Sequence, residues 1–313
     1  MVKITKNDEV ILTNLGFNAR MSESELGRLC RKSKDTIKYR IKRLESLGII
    51  KGYTVLLDYT KLGAVNYKMY IQTPDPQPLI NFFDQKSEVF ARFTAYADWN
   101  IGVALFCRTP QEYYKIENEL FTKFGKDIRS LLLCHMVSAS IFSWRAFDKR
   151  ASKKDIFGDI VGNDLDEMDV AILNLLLADS RQSFVYMAQT LKTNVNMIRR
   201  KMAVLEKKGI LVACQAIIDT AKLGFENYKL FITVQDYTPE AERSLLETIS
   251  IVPQCSNVIR MLGPWKIEAE FSCKSYDEFH AIMKKVQQHP AVLGLRYAIF
   301  KDEKYFPSGK VLA

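Results

Sequence analysis

An α+β fold built twice is predicted by three features of the sequence. Ser33–Ile49 reads as a capped helix with one apolar and one basic face. Downstream of it, apolar runs follow the order βαββαβ. The entire pattern then recurs 161 residues later. Together these features give two winged-helix-like helix-turn-helix domains alternating with two ferredoxin-like βαββαβ domains.

The first helix is expected from Asp8 to Gly16, with Val10, Ile11, Leu12 and Leu15 on its buried side. Ser22 and Glu25 match a capping box, in which side chain and backbone satisfy each other at a helix start. They open a second helix through Leu26, Leu29 and Cys30. In the third helix, Ile37, Ile41 and Leu44 share one face. Ser33 is its N-cap, and Gly48 ends it by entering the left-handed region. From Arg31 to Arg43 there are seven Lys or Arg residues against one acid, Asp35. A basic helix alone is more often a solvated surface element. Its place at the end of a three-helix unit, and its repetition, are what favour docking in a DNA groove.

Ile49–Asp58 then has strand character and reads as a wing or as the exit from the domain. Strands are expected at Tyr67–Gln72, Val89–Tyr96, Ile101–Cys107 and Leu131–Phe142, with helices starting at Pro76 and spanning Pro110–Phe124. A charged, glycine-containing linker follows. The repeat pairs Asp8 with Asp169, Arg20 with Arg181, Leu44-Glu45 with Leu205-Glu206, and Asn66-Tyr67-Lys68 with Asn227-Tyr228-Lys229. Beyond that point Trp99 meets Trp265 at an offset of 166, and a second βαββαβ run extends from Tyr228 to Phe300. The expected domains are 1–52 (first reader), 53–147 (first ferredoxin-like domain), 148–163 (linker), 164–213 (second, degenerate reader) and 214–313 (second ferredoxin-like domain).

The 313 residues suffice for several domains with proper cores, and the net charge of +9 favours a polyanionic partner. No secretory leader or membrane-length apolar run is visible, so a cytoplasmic, nucleoid-associated protein without membrane contact is expected. Six cysteines lie far apart, with no CxxC pair. Buried reduced thiols are therefore expected, and no metal or cofactor. His135, His280 and His289 have no metal-ligand spacing, and no phosphate-cradling loop or catalytic triad pattern is present.

Ser33, Thr36, Ile37, Arg40, Ile41, Leu44, Glu45, Gly48, Ile49 and Ile50 match the pattern S-x-x-T-V-x-x-R-I-x-x-L-E-x-x-G-V-I. Leu165, Asp166, Asp169, Ile172, Leu173, Arg181 and Ser183 match its usual opening. In these residues the chain resembles the Lrp/AsnC transcription regulators, as two such units fused in tandem. The resemblance implies a sequence-specific regulator that binds double-stranded DNA and assembles through its ferredoxin-like domains. Assembly is expected either as an internal pseudo-dimer or as a homo-oligomer in which like halves of two chains pair.

Lys34, Thr36, Tyr39 and Arg40 are the expected base-edge residues, with Arg31, Lys32, Lys38, Lys42 and Arg43 on phosphates. Val2–Gly52 carries twelve basic and six acidic residues, and Asn163–Ala213 seven and six. The first reader is thus expected to dominate. The second, with Asn194, Asn196, Arg199, Arg200 and Lys201, is expected to bind a different half-site weakly or to act as scaffold. The resemblance also implies a small-molecule effector, an amino acid or other metabolite, near Trp99, Asn100, Gly263 and Trp265. The acid of the family's G-x-Y-D turn is missing from both copies, however. The alternative is that the two tryptophans simply fill the interface. Two rival functions are weighed: an enzyme similar to the siroheme decarboxylases, which share the two-domain plan, and a nucleoid-packaging protein of low sequence preference.

Overall fold

The computed structural model describes residues 3–145, 147 and 152–305. Its elements run α1 (Lys6–Leu15), α2 (Glu23–Cys30), α3 (Lys34–Ser46), β1 (Ile50–Leu57), β2 (Val65–Gln72), α4 (Gln77–Asp84), β3 (Val89–Tyr96), β4 (Ile101–Cys107), α5 (Pro110–Phe124), β5 (Ser130–Phe142) and β6 (Lys153–Ile156). The second copy follows as α6 (Glu167–Ala178), α7 (Phe184–Thr190), α8 (Val195–Lys207), β7 (Leu211–Ile218), β8 (Glu226–Val234), α9 (Pro239–Ser250), β9 (Cys255–Leu262), β10 (Ile267–Cys273), α10 (Tyr276–Gln287) and β11 (Val292–Tyr305). Both helix-turn-helix units and both βαββαβ runs form as expected.

Two compact units result, and each contains both copies. One comprises Met1–Asp58, Ile141–Lys154 and Asp164–Glu226; the other comprises Tyr59–Ser140, Asp155–Asn163 and Asn227–Ala313. The boundaries expected at 52/53 and 213/214 cut through a ribbon that holds the first unit together. The strand read as a wing, β1, pairs antiparallel with β7 of the other copy. Thr54 lies opposite Gln215, its own counterpart at the 161 offset, so the ribbon has near two-fold symmetry about that pair. The same symmetry relates Asp58 N–H to the Ile210 carbonyl (2.9 Å) with Asp219 N–H to the Ile49 carbonyl (2.8 Å). Part of the expected linker is also structured, since β6 joins the edge of β5. Residues 148–151 of that linker lie outside the described residues.

In the second unit each copy has the strand order fourth-first-third-second, here β5-β2-β4-β3 and β11-β8-β10-β9. The two sheets join at both edges, β3 to β11 and β9 to β5, which closes eight strands into a ring. Closure removes the exposed edges that an open sheet would leave unpaired. Alternation along each strand divides its residues. Met69, Ile71, Ile101, Val103 and Leu105 pack under α4 and α5 with Leu79, Phe83 and Ile116. Lys68 and Tyr70 point the other way, to the inside of the ring. Within this chain the two ferredoxin-like halves thus pair with each other at both sheet edges.

Candidate nucleic-acid interface

The first reader is held by local chemistry that its sequence specifies. Thr5 and Ser22 each form a capping box, with Asp8 and Glu25 respectively. The Ser33 hydroxyl accepts from the Thr36 amide at 3.2 Å and fixes the start of α3. Ile37, Ile41 and Leu44 join a core with Ile11, Leu12, Leu15, Leu26 and Ile49. Burying such side chains contributes about 1.5–3 kcal/mol each. Gly48, at φ 64, then lets the chain turn out of the helix as expected.

The turn into α3 passes through Arg31, whose backbone is left-handed at φ 52 and ψ 48. Lys192, its counterpart before α8, has φ 51. A non-glycine residue there carries roughly 1–2 kcal/mol of steric strain. Both copies therefore hold a basic residue at a backbone position that favours glycine. Arg31, Lys32, Ser33, Lys34, Lys38, Tyr39 and Lys42 are all exposed, Tyr39 at 68%. They make an outward face of cations around one aromatic ring. Thr36 is half-buried and shares a 2.9 Å hydrogen bond with the Ser33 hydroxyl.

Arg40, expected at a base edge, has partners within the chain. Its guanidinium donates to the Thr5 hydroxyl at 2.8 Å and to the Asp8 carboxylate at 3.0 Å. Arg43 approaches the same carboxylate at 3.8 Å. Asp8 is fully buried. Burial by itself pushes its carboxyl up, but hydrogen bonds from Thr5 and Arg40 outweigh it and hold the group below the usual carboxylate range. Arg40 thus ties α3 to the start of α1. Counting charges could not reveal this, although the repeat carried a signal: Asp8 and Arg40 recur together as Asp169 and Lys201.

The second reader repeats the frame with fewer outward cations. The Asn194 side chain caps α8, accepting from the Met197 amide at 2.8 Å. Lys201 donates to Asp166 and lies 3.1 Å from Asp169, so it too ties its helix to the start of α6. Arg199 lies over the Phe184 ring at 5.2 Å, and Arg200 reaches the Met197 sulfur at 3.3 Å. Asn196, Arg199 and Arg200 are exposed. Val195, Ala203 and Val204 stand where the first reader has Lys34, Lys42 and Arg43.

Two arginines that the charge pattern did not single out lock the readers to each other. Arg20 donates to the carbonyls of Ser180 (2.7 Å) and Gln182 (2.9 Å), and its counterpart Arg181 reaches Glu23 at 3.0 Å. Lys222 caps the last turn of α3 from the opposite copy, donating to the Leu47 carbonyl at 2.8 Å.

The expected effector residues all have protein partners. Trp99 and Trp265 are 3% and 4% exposed and pack, tilted or edge-to-face, against Tyr70, Phe93 and Phe231 inside the ring. Asn100 bonds the backbone of Thr73 through both ends of its amide. Gly263 lies against Cys134, where an added Cβ would come within 3.0 Å of the sulfur. The three histidines lie apart: His135 on the Asn66 carbonyl, His280 against Tyr276 and His289 on Ser244. No group of acids, histidines and cysteines suited to a metal occurs among the described residues. Among them, too, no helix is long and apolar enough to cross a membrane.

Comparison with known proteins agrees with this geometry. A winged helix-turn-helix DNA-binding family matches residues 4–51. An uncharacterized HTH-type transcriptional regulator of Pyrococcus furiosus is 37% identical over 78 residues, 25% of this chain and 50% of that protein. The HTH-type transcriptional regulator LrpC of Bacillus subtilis is 40% identical over 62 residues, 20% of this chain and 43% of LrpC. The chain spans about half the length of the curated relatives it matches. In structure it is similar over 98% of its length to 96% of the siroheme decarboxylase NirDL, with a TM-score of 0.65 and 14% identity, a likeness of fold. Residues 4–51 thus carry a winged helix-turn-helix domain of the matched family. The same three-helix arrangement recurs in α6–α8, and each copy is followed by a ferredoxin-like half.

Proposed function

We propose that the chain is a sequence-specific DNA-binding transcriptional regulator in which α3 makes the main contacts. The observation that carries this reading is the outward face of α3: exposed Lys34, Lys38, Tyr39 and Lys42, entered through a strained Arg31. Lys34 and Tyr39 read base edges, and Arg31, Lys32, Lys38 and Lys42 hold phosphates. The second reader adds backbone contact through Asn196, Arg199 and Arg200 and contributes less affinity. Arg40 and Lys201 act from inside, by keeping each helix on its domain. The ferredoxin-like halves serve assembly, and the protein works in the cytoplasm on the nucleoid. Fluorescence anisotropy on labelled duplexes with competitor DNA tests the reading. Binding that survives a large excess of unrelated duplex supports a regulator. Binding lost to any competitor supports packaging instead.

The whole-chain likeness to NirDL supports a second reading, a tetrapyrrole-processing enzyme. The tightly packed aromatic interior of the ring favours the regulator. Titration with an iron porphyrin, followed by its absorption band, separates the two: a saturable shift at equimolar protein supports the enzyme.

A further inference from the structure

Inside the ring the two copies are unlike in charge. Lys68 on β2 and Lys229 on β8 are counterparts in the repeat and are both buried. The acids that answer them come from the second copy alone. Glu268 is fully buried; it bonds Lys68 at 2.6 Å, Tyr70 at 2.5 Å and the Trp265 indole at 3.0 Å, and lies 3.4 Å from Lys229. Glu270 pairs with Lys229 at 2.7 Å. At the offset of 166, Gly102 and Ala104 hold the places of Glu268 and Glu270 in the first copy. Gly102 has no room for a side chain, because a Cβ there would come within 1.9 Å of the Phe93 ring. The first copy therefore cannot carry an acid at that point in its own packing.

We propose that this buried charge pattern selects the unlike half as the partner of each ferredoxin-like half, so that one chain closes its own ring and like halves do not pair. Counting buried charges gives the reason. The unlike pair sets two lysines against Glu268 and Glu270, with Glu303 of the second copy beside them, its carboxyl pushed up to about 7 by burial and by Glu270. A pair of first halves would bury two lysines with none of these acids, and a pair of second halves two lysines with six. An uncompensated buried charge is strongly destabilising, so only the unlike pair is tolerated.

The edges of the ring point the same way. Where β3 meets β11, Arg92 of the first copy pairs with Asp302 of the second at 3.0 Å. Where β9 meets β5, Val258 and Ser138 take those two places. Pairing like halves would set Arg92 against Ser138 and lose that ion pair.

Two experiments on the full chain test the proposal. Tyr96 and Ile299 lie opposite each other across β3 and β11. The chain with both Y96C and I299C, which leaves the Arg92–Asp302 pair in place, should oxidise to a single cross-linked chain of raised gel mobility, since the six native cysteines are buried. Covalent dimers, or no cross-link, would overturn the proposal. The second experiment compares Lys68→Met, Glu268→Gln and their combination. Each single change should lower the melting temperature by roughly 5–10 °C, and the pair by clearly less than the sum. Additive losses would show that charge balance does not select the partner. The cross-link reports on the native interior, so it decides the pairing even where a single variant fails to fold.

Discussion

Arg40 and Asp8 form an ion pair at 3.0 Å that fastens α3 to the N-terminus of α1, and Lys201 and Asp169 repeat it at 3.1 Å in the second copy. The outward cations differ between the copies, yet this inner pair persists. That separates two uses of positive charge on one helix. Cations on the outer face are exposed, while the inner one holds the helix in place.

Arg40→Ala should therefore lower stability by about 1–3 kcal/mol, the range for a charge-assisted hydrogen bond to a buried group. DNA affinity should fall by a similar factor on every sequence, because the helix loosens as a whole. Arg40→Lys should retain most of both, as Lys201 does in its own frame. Denaturant titration and binding to two unrelated duplexes check this; a loss confined to one base pair would mean that Arg40 reads it.

Acid should weaken the same tie. The Asp8 carboxyl is held below its ordinary value of 3.8 in the folded protein. A depressed carboxyl contributes stability that is fully present above the unfolded pKa and is lost as pH falls through the folded one. Stability contributed by the tie should thus be level above about pH 5 and decline below pH 3.8. Asp8→Asn should be less stable at neutral pH, and its difference from the native chain should shrink in acid. A constant difference from pH 7 to pH 3 would contradict this.

Arg31→Gly should separate fold from binding. Glycine relieves the left-handed strain but adds freedom to the unfolded chain, so stability should stay within about 1 kcal/mol or rise slightly. Affinity for DNA should fall uniformly across sequences, with a shallower dependence on salt. Unchanged affinity would leave the basic residue at this turn without a role in binding.

Most elements of the fold were legible because their signals are local. Ser22, Ser33 and Gly48 announce helix ends through their own backbone bonds, and Ile37, Ile41 and Leu44 mark a buried face by spacing alone. The repeat reinforced each reading with a second instance. Pairing was less legible. Tyr53–Leu57 has strand character, but nothing in those residues says that the partner is β7, 161 residues on. The partners of the site residues were hidden for a related reason. Arg40 and Lys38 look alike in a helical pattern, and only the fold brings Asp8 against one of them. Trp99 and Trp265 fit either a ligand wall or a core until Tyr70, Phe93 and Phe231 surround them.

Selection of bound fragments from random duplex DNA, by the native chain and by a K34A/Y39A variant, tests the central claim most directly. The account predicts one enriched motif for the native chain, with one half better defined than the other, matching the richer α3 and the poorer α8. The variant should remain folded and lose the well-defined half. A symmetric motif, or the same motif from both proteins, would contradict α3 as the principal reader.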